Sequence, residues 1–121
     1  MVRSVEQHIR AICLSLPEAS ERESHGAPAF FATKQFVMLW PHGHHDHEFA
    51  HLWCAAPDGA QASLITSSPE RFFYPPYVGH RGWIGVRLDG ALDAEEIESL
   101  CVEAYRCVAT KRQLALLEGP L

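Results

Sequence analysis

AFFATKQFVMLWPHGHHDHEFAHLWCA, residues 29–55, decides the architecture. Its first part holds two apolar runs, Ala29 to Ala32 and Phe36 to Trp40, separated near Thr33, Lys34 and Gln35. Aromatic and β-branched residues suit the half-buried pleat of a strand, so the pair reads as a hairpin. From Pro41 to Glu48, proline, glycine, aspartate and histidines replace any apolar period, which marks a loop. FAHLWCA, residues 49–55, then reads as the returning strand, with His51 on it.

Outward from this centre the pattern changes. Val2, Val5, Ile9, Ile12 and Leu16 recur at helical spacing with Glu6, Gln7 and Arg10 opposite, and Pro17 disfavours helix in the residue before it. Pro57 suits the first turn of a short helix in PDGAQASLITSS, which Ser68 and Pro69 end. RFFYPPYVGHRG is a connection rich in aromatics, proline and glycine. WIGVRLDG alternates, with Ile84, Val86 and Leu88 on one face and Asp89-Gly90 as a turn. Asp93 with Glu96 signals the start of a last helix whose stripe is Ile97, Leu100, Cys101, Ala104 and Val108, with Arg106, Lys111 and Arg112 at or beyond its end.

The order is therefore helix, three or four strands, helix, one or two strands, helix. Strands segregated in this way predict an α+β domain of two layers, an antiparallel sheet covered on one face by helices. With 121 residues and 47% hydrophobic content, residues 1–121 form a single domain around one core.

Ten basic residues against fifteen acidic ones leave a net charge of -5 with neutral histidines, a handicap for nucleic-acid binding unless the cations gather on one face. Cys13, Cys54, Cys101 and Cys107 lack C-x-x-C spacing and read as reduced core thiols. Charges at Arg3, Glu6 and Arg10 interrupt the apolar run that a signal peptide needs, and no stretch is long enough to cross a bilayer. The expectation is a cytoplasmic protein that does not bind membranes.

LPEASERESHGAPAFFATKQFVMLW, APDGAQASLITSSPERFF, VGHRGWIGVRLDG and LDAEEIESLCVEAYRCVATKR together resemble the MmcQ/YjbR family, in this order and over nearly the whole chain. The resemblance implies an α+β fold of the kind also seen in secretion chaperones and CyaY-like proteins, a DNA-binding label, and no catalytic residues. Gly26 and Pro28 fit the family's turn before its first hairpin, Lys34 and Phe36 its Lys-x-Phe signature, Trp83 its strand tryptophan and Tyr105 the tyrosine of its last helix. Ala104 stands where many members have serine.

Two stretches carry candidate chemistry. His42, His44, Asp46 and His47 spell H-x-H-x-D-H, the metal-ligand string of the metallo-β-lactamase superfamily. Zinc needs three or four donors converging at about 2.0 to 2.3 Å, but that superfamily's fold is a two-sheet sandwich of about twice this length that draws further ligands from distant loops. Here only His51 and His80 follow. No resident cofactor is expected, and His42, His44, His45 and His47 are instead candidate chelators of adventitious Zn²⁺ or Ni²⁺.

PERFFYPPYVGHRGW, residues 69–83, interleaves Arg71, His80 and Arg81 with Phe72, Phe73, Tyr74, Tyr77 and Trp83, the mixture that stacks on and charge-pairs with single-stranded nucleic acid or a planar anion. Between residues 59 and 88 one acid, Glu70, stands against Arg71, Arg81 and Arg87, a local +2. Neither a G-x-S-x-G elbow nor a P-loop or G-x-G-x-x-G occurs. Glu21 and Glu23 share a strand face, where paired acids are usually only solvated.

These residues predict a non-enzymatic binding domain. Its first reading is weak, salt-sensitive, loop-mediated DNA binding through Lys34, Arg71, His80, Arg81, Arg87, Lys111 and Arg112. The alternative is a module for a small molecule, metal or protein that uses the connection 69–83, with Tyr74, Tyr77 and Trp83 lining a concave site, and the histidine loop 42–47. Either a monomer or a homodimer through an open strand edge is compatible with both.

Overall fold

Ser4 starts the first helix: its hydroxyl accepts from the Gln7 N–H while the Gln7 side chain accepts from the Ser4 N–H, which satisfies two amides that a helix start leaves open. In the computed structural model, which describes residues 4–44, 47–90 and 93–119, this helix, α1, runs Val5–Leu14 and buries Ile9, Ile12 and Cys13. Strands β1 (Ser20–Ser24) and β2 (Ala27–Phe31) follow. Their two-residue turn places His25 at φ 53° and Gly26 at φ 82°, the left-handed pair whose twist matches that of flanking strands.

Four more strands complete one antiparallel sheet: β3 (Gln35–Trp40), β4 (His51–Cys54), β5 (Phe72–Phe73) and β6 (Ile84–Arg87), in the order β1-β2-β3-β4-β6-β5. Helix α2 (Ala60–Ser67) links β4 to β5, and α3 (Ala94–Val108) and α4 (Lys111–Glu118) end the chain.

Cross-strand partners share a face of the sheet, so the register sorts the side chains. Leu39, Leu52 and Val86 form one row and Val37, Cys54 and Ile84 another, all buried against the helical layer. There α3 packs on β3 and β4, and α1 lies between α3 and β1. The opposite face carries the rows Met38, Trp53 and Gly85, and Trp40, His51 and Arg87. The register shifts between Phe30 and Phe31, and beside this irregularity Phe36 meets the edge of the Tyr105 ring of α3 at 5.5 Å.

Tyr105 is fully buried and its hydroxyl donates to the Pro17 carbonyl at 2.7 Å. This tyrosine thus ties α3 to the end of α1, and Phe36 is its packing partner. Ala104 is fully buried, so a serine hydroxyl there would need a partner inside the helical layer. Arg10 of α1 grips Glu21 of β1 with two hydrogen bonds, 2.6 and 2.9 Å. The acid expected to be solvated is therefore an interlayer tie, because α1 packs against that strand.

The α+β layering is as the sequence predicts, and four local expectations change. Helix α2 begins at Ala60, three residues after Pro57, because Gly59 at φ 84° occupies the cap. Lys111 and Arg112 open a separate helix, α4, which Thr110 and Gln113 cap reciprocally. Phe72–Phe73 pairs with β6 as a short edge strand inside what reads as a connection. Cys13, Cys54 and Cys101 are core residues, whereas Cys107 of α3 is exposed. Among the described residues no helix is long and apolar enough to cross a membrane.

Candidate functional site

The histidine loop joins β3 to β4, as its polar composition implies, and folds onto the sheet face away from the helices. Gly43 permits this: at φ 85°, an added Cβ would strike the Glu48 carbonyl. His44 and His47 face each other as a bridge pair and exchange two backbone hydrogen bonds of 2.8 Å. Their rings turn to the sheet. His44 lies edge-on to Trp40 at 4.7 Å and Trp53 at 5.5 Å, and His47 packs on Phe73 at 4.3 Å. His42 is exposed, and His45 and Asp46 lie outside the described residues. Among the described residues, no group of three or more histidine, cysteine or acidic side chains is placed to hold a metal ion.

Beneath the loop sits His51, fully buried. Its Nδ1 is 2.7 Å from the Phe49 carbonyl, which can only accept, so Nδ1 carries the proton. Burial holds the imidazole below the ordinary histidine range, and the neighbouring His47 and His44 push in the same direction. The ring is therefore neutral at pH 7, and Nε2 is a lone-pair acceptor. Nε2 is buried without a partner among the described residues, as are the indole Nε1 atoms of Trp40 and Trp53 and Nδ1 of His47.

The connection 69–83 approaches the same face from the other side. Gln61 of α2 holds it by donating to the carbonyls of Gly79 at 2.9 Å and Trp83 at 2.6 Å. The Tyr74 ring lies against Gly79 where a Cβ would stand, and the Phe73 ring covers Gly85 in the same way. Tyr77, at φ 67°, is 70% exposed, and the Arg81 guanidinium sits 5.3 Å from the ring of buried Trp83.

Between loop, connection and the β1–β2 turn lies a groove of about 840 Å³. Its floor and walls are Met38, Trp40, Trp53, His44 and Tyr77, and Ser24, His25, Gln35 and Arg81 contribute polar atoms. Arg81 has no carboxylate partner among the described residues. The Ser24 hydroxyl lies 3.1 Å from Nδ1 of His25, but both belong to an exposed turn. No carboxylate orients that imidazole among the described residues, so the third member of a nucleophilic arrangement is missing.

Of the residues selected from sequence, Tyr77, Arg81 and His44 meet at this groove. Arg71 is paired with Glu96 at 2.6 Å, Arg87 with Asp89 at 2.8 Å and Arg112 with Glu18 at 2.9 Å. Arg87 also lies 3.9 Å over the Phe49 ring. Lys34, His80 and Lys111 are exposed. Tyr74 and Trp83 do not line the groove, because the first stacks on Gly79 and the second is buried. Trp40, Trp53, Met38, Gln35, Ser24 and His25 escaped the sequence reading. The visible signal was the alternation of Met38 with Trp40 and of His51 with Trp53, which puts four polarizable side chains on one sheet face.

Residues 14–107 match the family model YjbR. The chain is also similar to the crystal structure of Deinococcus radiodurans protein DR2400, a DUF419 domain, with a TM-score of 0.73 at 20% identity, over 98% of this chain and 90% of that one. At that identity the likeness is one of fold. No curated protein matches the chain.

Proposed function

The chain belongs to the YjbR family, and from that premise we propose that it is a non-catalytic binding domain whose ligand is a flat small molecule with an acidic group, held in the aromatic groove. The observation that carries this reading is the composition of the groove: Trp40, Trp53 and Tyr77 offer apolar ring faces, and Arg81, free of any carboxylate among the described residues, stands at the same site. Concave, mostly aromatic sites with a few convergent polar groups are what small ligands use. An arginine beside such rings supplies a directional partner for a carboxylate or phosphate.

The test is NMR titration of the whole chain with 2-naphthoate, followed at the three indole N–H resonances. At roughly 0.3 kcal/mol for each of about 13 non-hydrogen atoms, the ligand gains about 4 kcal/mol, a Kd near 1 mM. Saturable shifts of Trp40 and Trp53 are expected, with a smaller one at Trp83 through Arg81, and Arg81→Ala weakens binding about tenfold. No saturable change with any flat acid up to about ten times that Kd refutes the reading.

Single-stranded DNA is the second reading, and the exposed Tyr77 beside Arg81 favours it, since stacking plus charge binds strands without reading their sequence. The ion pairs at Arg71, Arg87 and Arg112 weigh against a broad positive face. Binding of an oligothymidylate that weakens steeply with salt, and with Arg81→Ala, would establish it.

A further inference from the structure

Trp40, Trp53 and His44 line the groove, yet polar atoms of Trp40, Trp53 and the neighbouring His51 have no hydrogen-bond partner among the described residues. His51 is fully buried, and its Nε2 must accept because its Nδ1 proton goes to the Phe49 carbonyl. Trp40 and Trp53 each bury an indole N–H that meets no acceptor among the described residues. Their rings pack beside that of His51, with centres 6.3 and 6.1 Å away. Native proteins rarely leave such groups unpaired, and here these three, with Nδ1 of the adjoining His47 as a fourth, belong to one ring cluster beside a groove.

A group that satisfies His51 and the two indoles must donate once and accept twice. A hydroxyl does both. A carboxylate accepts from the indoles but offers nothing to a neutral His51, and an ether likewise lacks the proton. A methyl or ring edge leaves all three unpaired. We infer that the groove extends past His44 to His51, and that this inner end binds a hydroxyl, which makes the ligand a flat hydroxy acid with its acid at Arg81 and its hydroxyl between His51 and the two indoles. This inference rests on the groove reading above. His44 is the only side chain of the loop that lines the groove and touches both indoles among the described residues, so its displacement opens the path.

The experiment compares 2-naphthoate, 6-hydroxy-2-naphthoate and 6-methoxy-2-naphthoate by calorimetry and by the indole N–H shifts. The hydroxy acid is expected to bind about tenfold more tightly than the parent, the gain of one well-made buried hydrogen bond, and to move the Trp40 or Trp53 indole protons downfield. The comparison is the ratio of the two Kd values within each variant, so any general weakening cancels. His51→Phe and, as a second variant that keeps an aromatic ring, Trp53→Phe should bring the ratio from about ten toward about one. Equal binding of parent and hydroxy acid overturns the inference and leaves the groove reading standing. A methoxy acid that binds as well as the hydroxy acid also overturns it, since His51 then receives no proton. If none of the three acids binds, both readings fall.

Discussion

Replacing Tyr105 by phenylalanine isolates the contact that closes the helical layer. The ring and its edge contact with Phe36 remain, and only the hydroxyl that donates to the Pro17 carbonyl at 2.7 Å is lost. Burial, and then the charge of Glu18, hold that hydroxyl above the ordinary tyrosine range, so it is a protonated donor throughout the neutral region. Net loss of a hydrogen bond costs about 1 kcal/mol, and leaving a buried carbonyl without this donor raises the figure to about 1.5 kcal/mol. For 121 residues, an unfolding entropy of about 2.1 cal/mol/K per residue gives about 0.25 kcal/mol/K, so the midpoint should fall by about 6 °C. Urea denaturation at 25 °C should show the same loss with an unchanged slope, since the exposed area does not change. A midpoint within about 1 °C of the parent would falsify the claim that this bond ties α3 to the end of α1.

Two further outcomes follow from burial. Since burial lowers the His51 proton affinity below its unfolded value of 6.5, the unfolded chain binds more protons as pH drops past that value. Stability contributed by the neutral ring is thus complete above about pH 6.5 and declines below it by up to about 1.4 kcal/mol per pH unit. Urea midpoints at three pH values check this, and a His51→Asn variant that keeps the full slope would assign it to other histidines. Cys13, Cys54 and Cys101 are buried, and Cys107 is exposed but held above the ordinary cysteine range by desolvation, Glu103 and Asp58. A chromogenic disulfide reagent should therefore titrate one slow thiol in the native protein and four after denaturation, and more than one native equivalent would contradict the core assignment.

Much of the layering could be read from period alone. Alternation in residues 84–88 and the stripe from Ile97 to Ala104 point their apolar sides at a shared core, because strand and helix repeat at different spacings. Thr110 and Gln113 also spelled the cap of α4, yet eight residues of modest amphipathy are too short for a periodic signal to separate from the end of α3. Phe72–Phe73 could not be recognised as a strand, since two residues have no period and only pairing with β6 defines them. The candidate site was half legible. Tyr77, Arg81 and His44 carry the right chemistry in the sequence, but three of the candidate arginines are neutralised by acids at sequence separations of 2, 25 and 94, which spacing does not reveal.

The sequence by itself determined the α+β class, the family resemblance and the position of the histidine loop between two strands, because each rests on local spacing and composition. Only the tertiary structure decided what that loop does. A chain that reads H-x-H-x-D-H turns His44 and His47 onto Trp40, Trp53 and Phe73, since the loop closes on Gly43 and its aromatic neighbours lie on the uncovered sheet face. Which atoms are left without partners beneath it depends on contacts between distant strands and loops. Unpaired nitrogens on Trp40, His51 and Trp53 are a property of packing, and no periodicity encodes them.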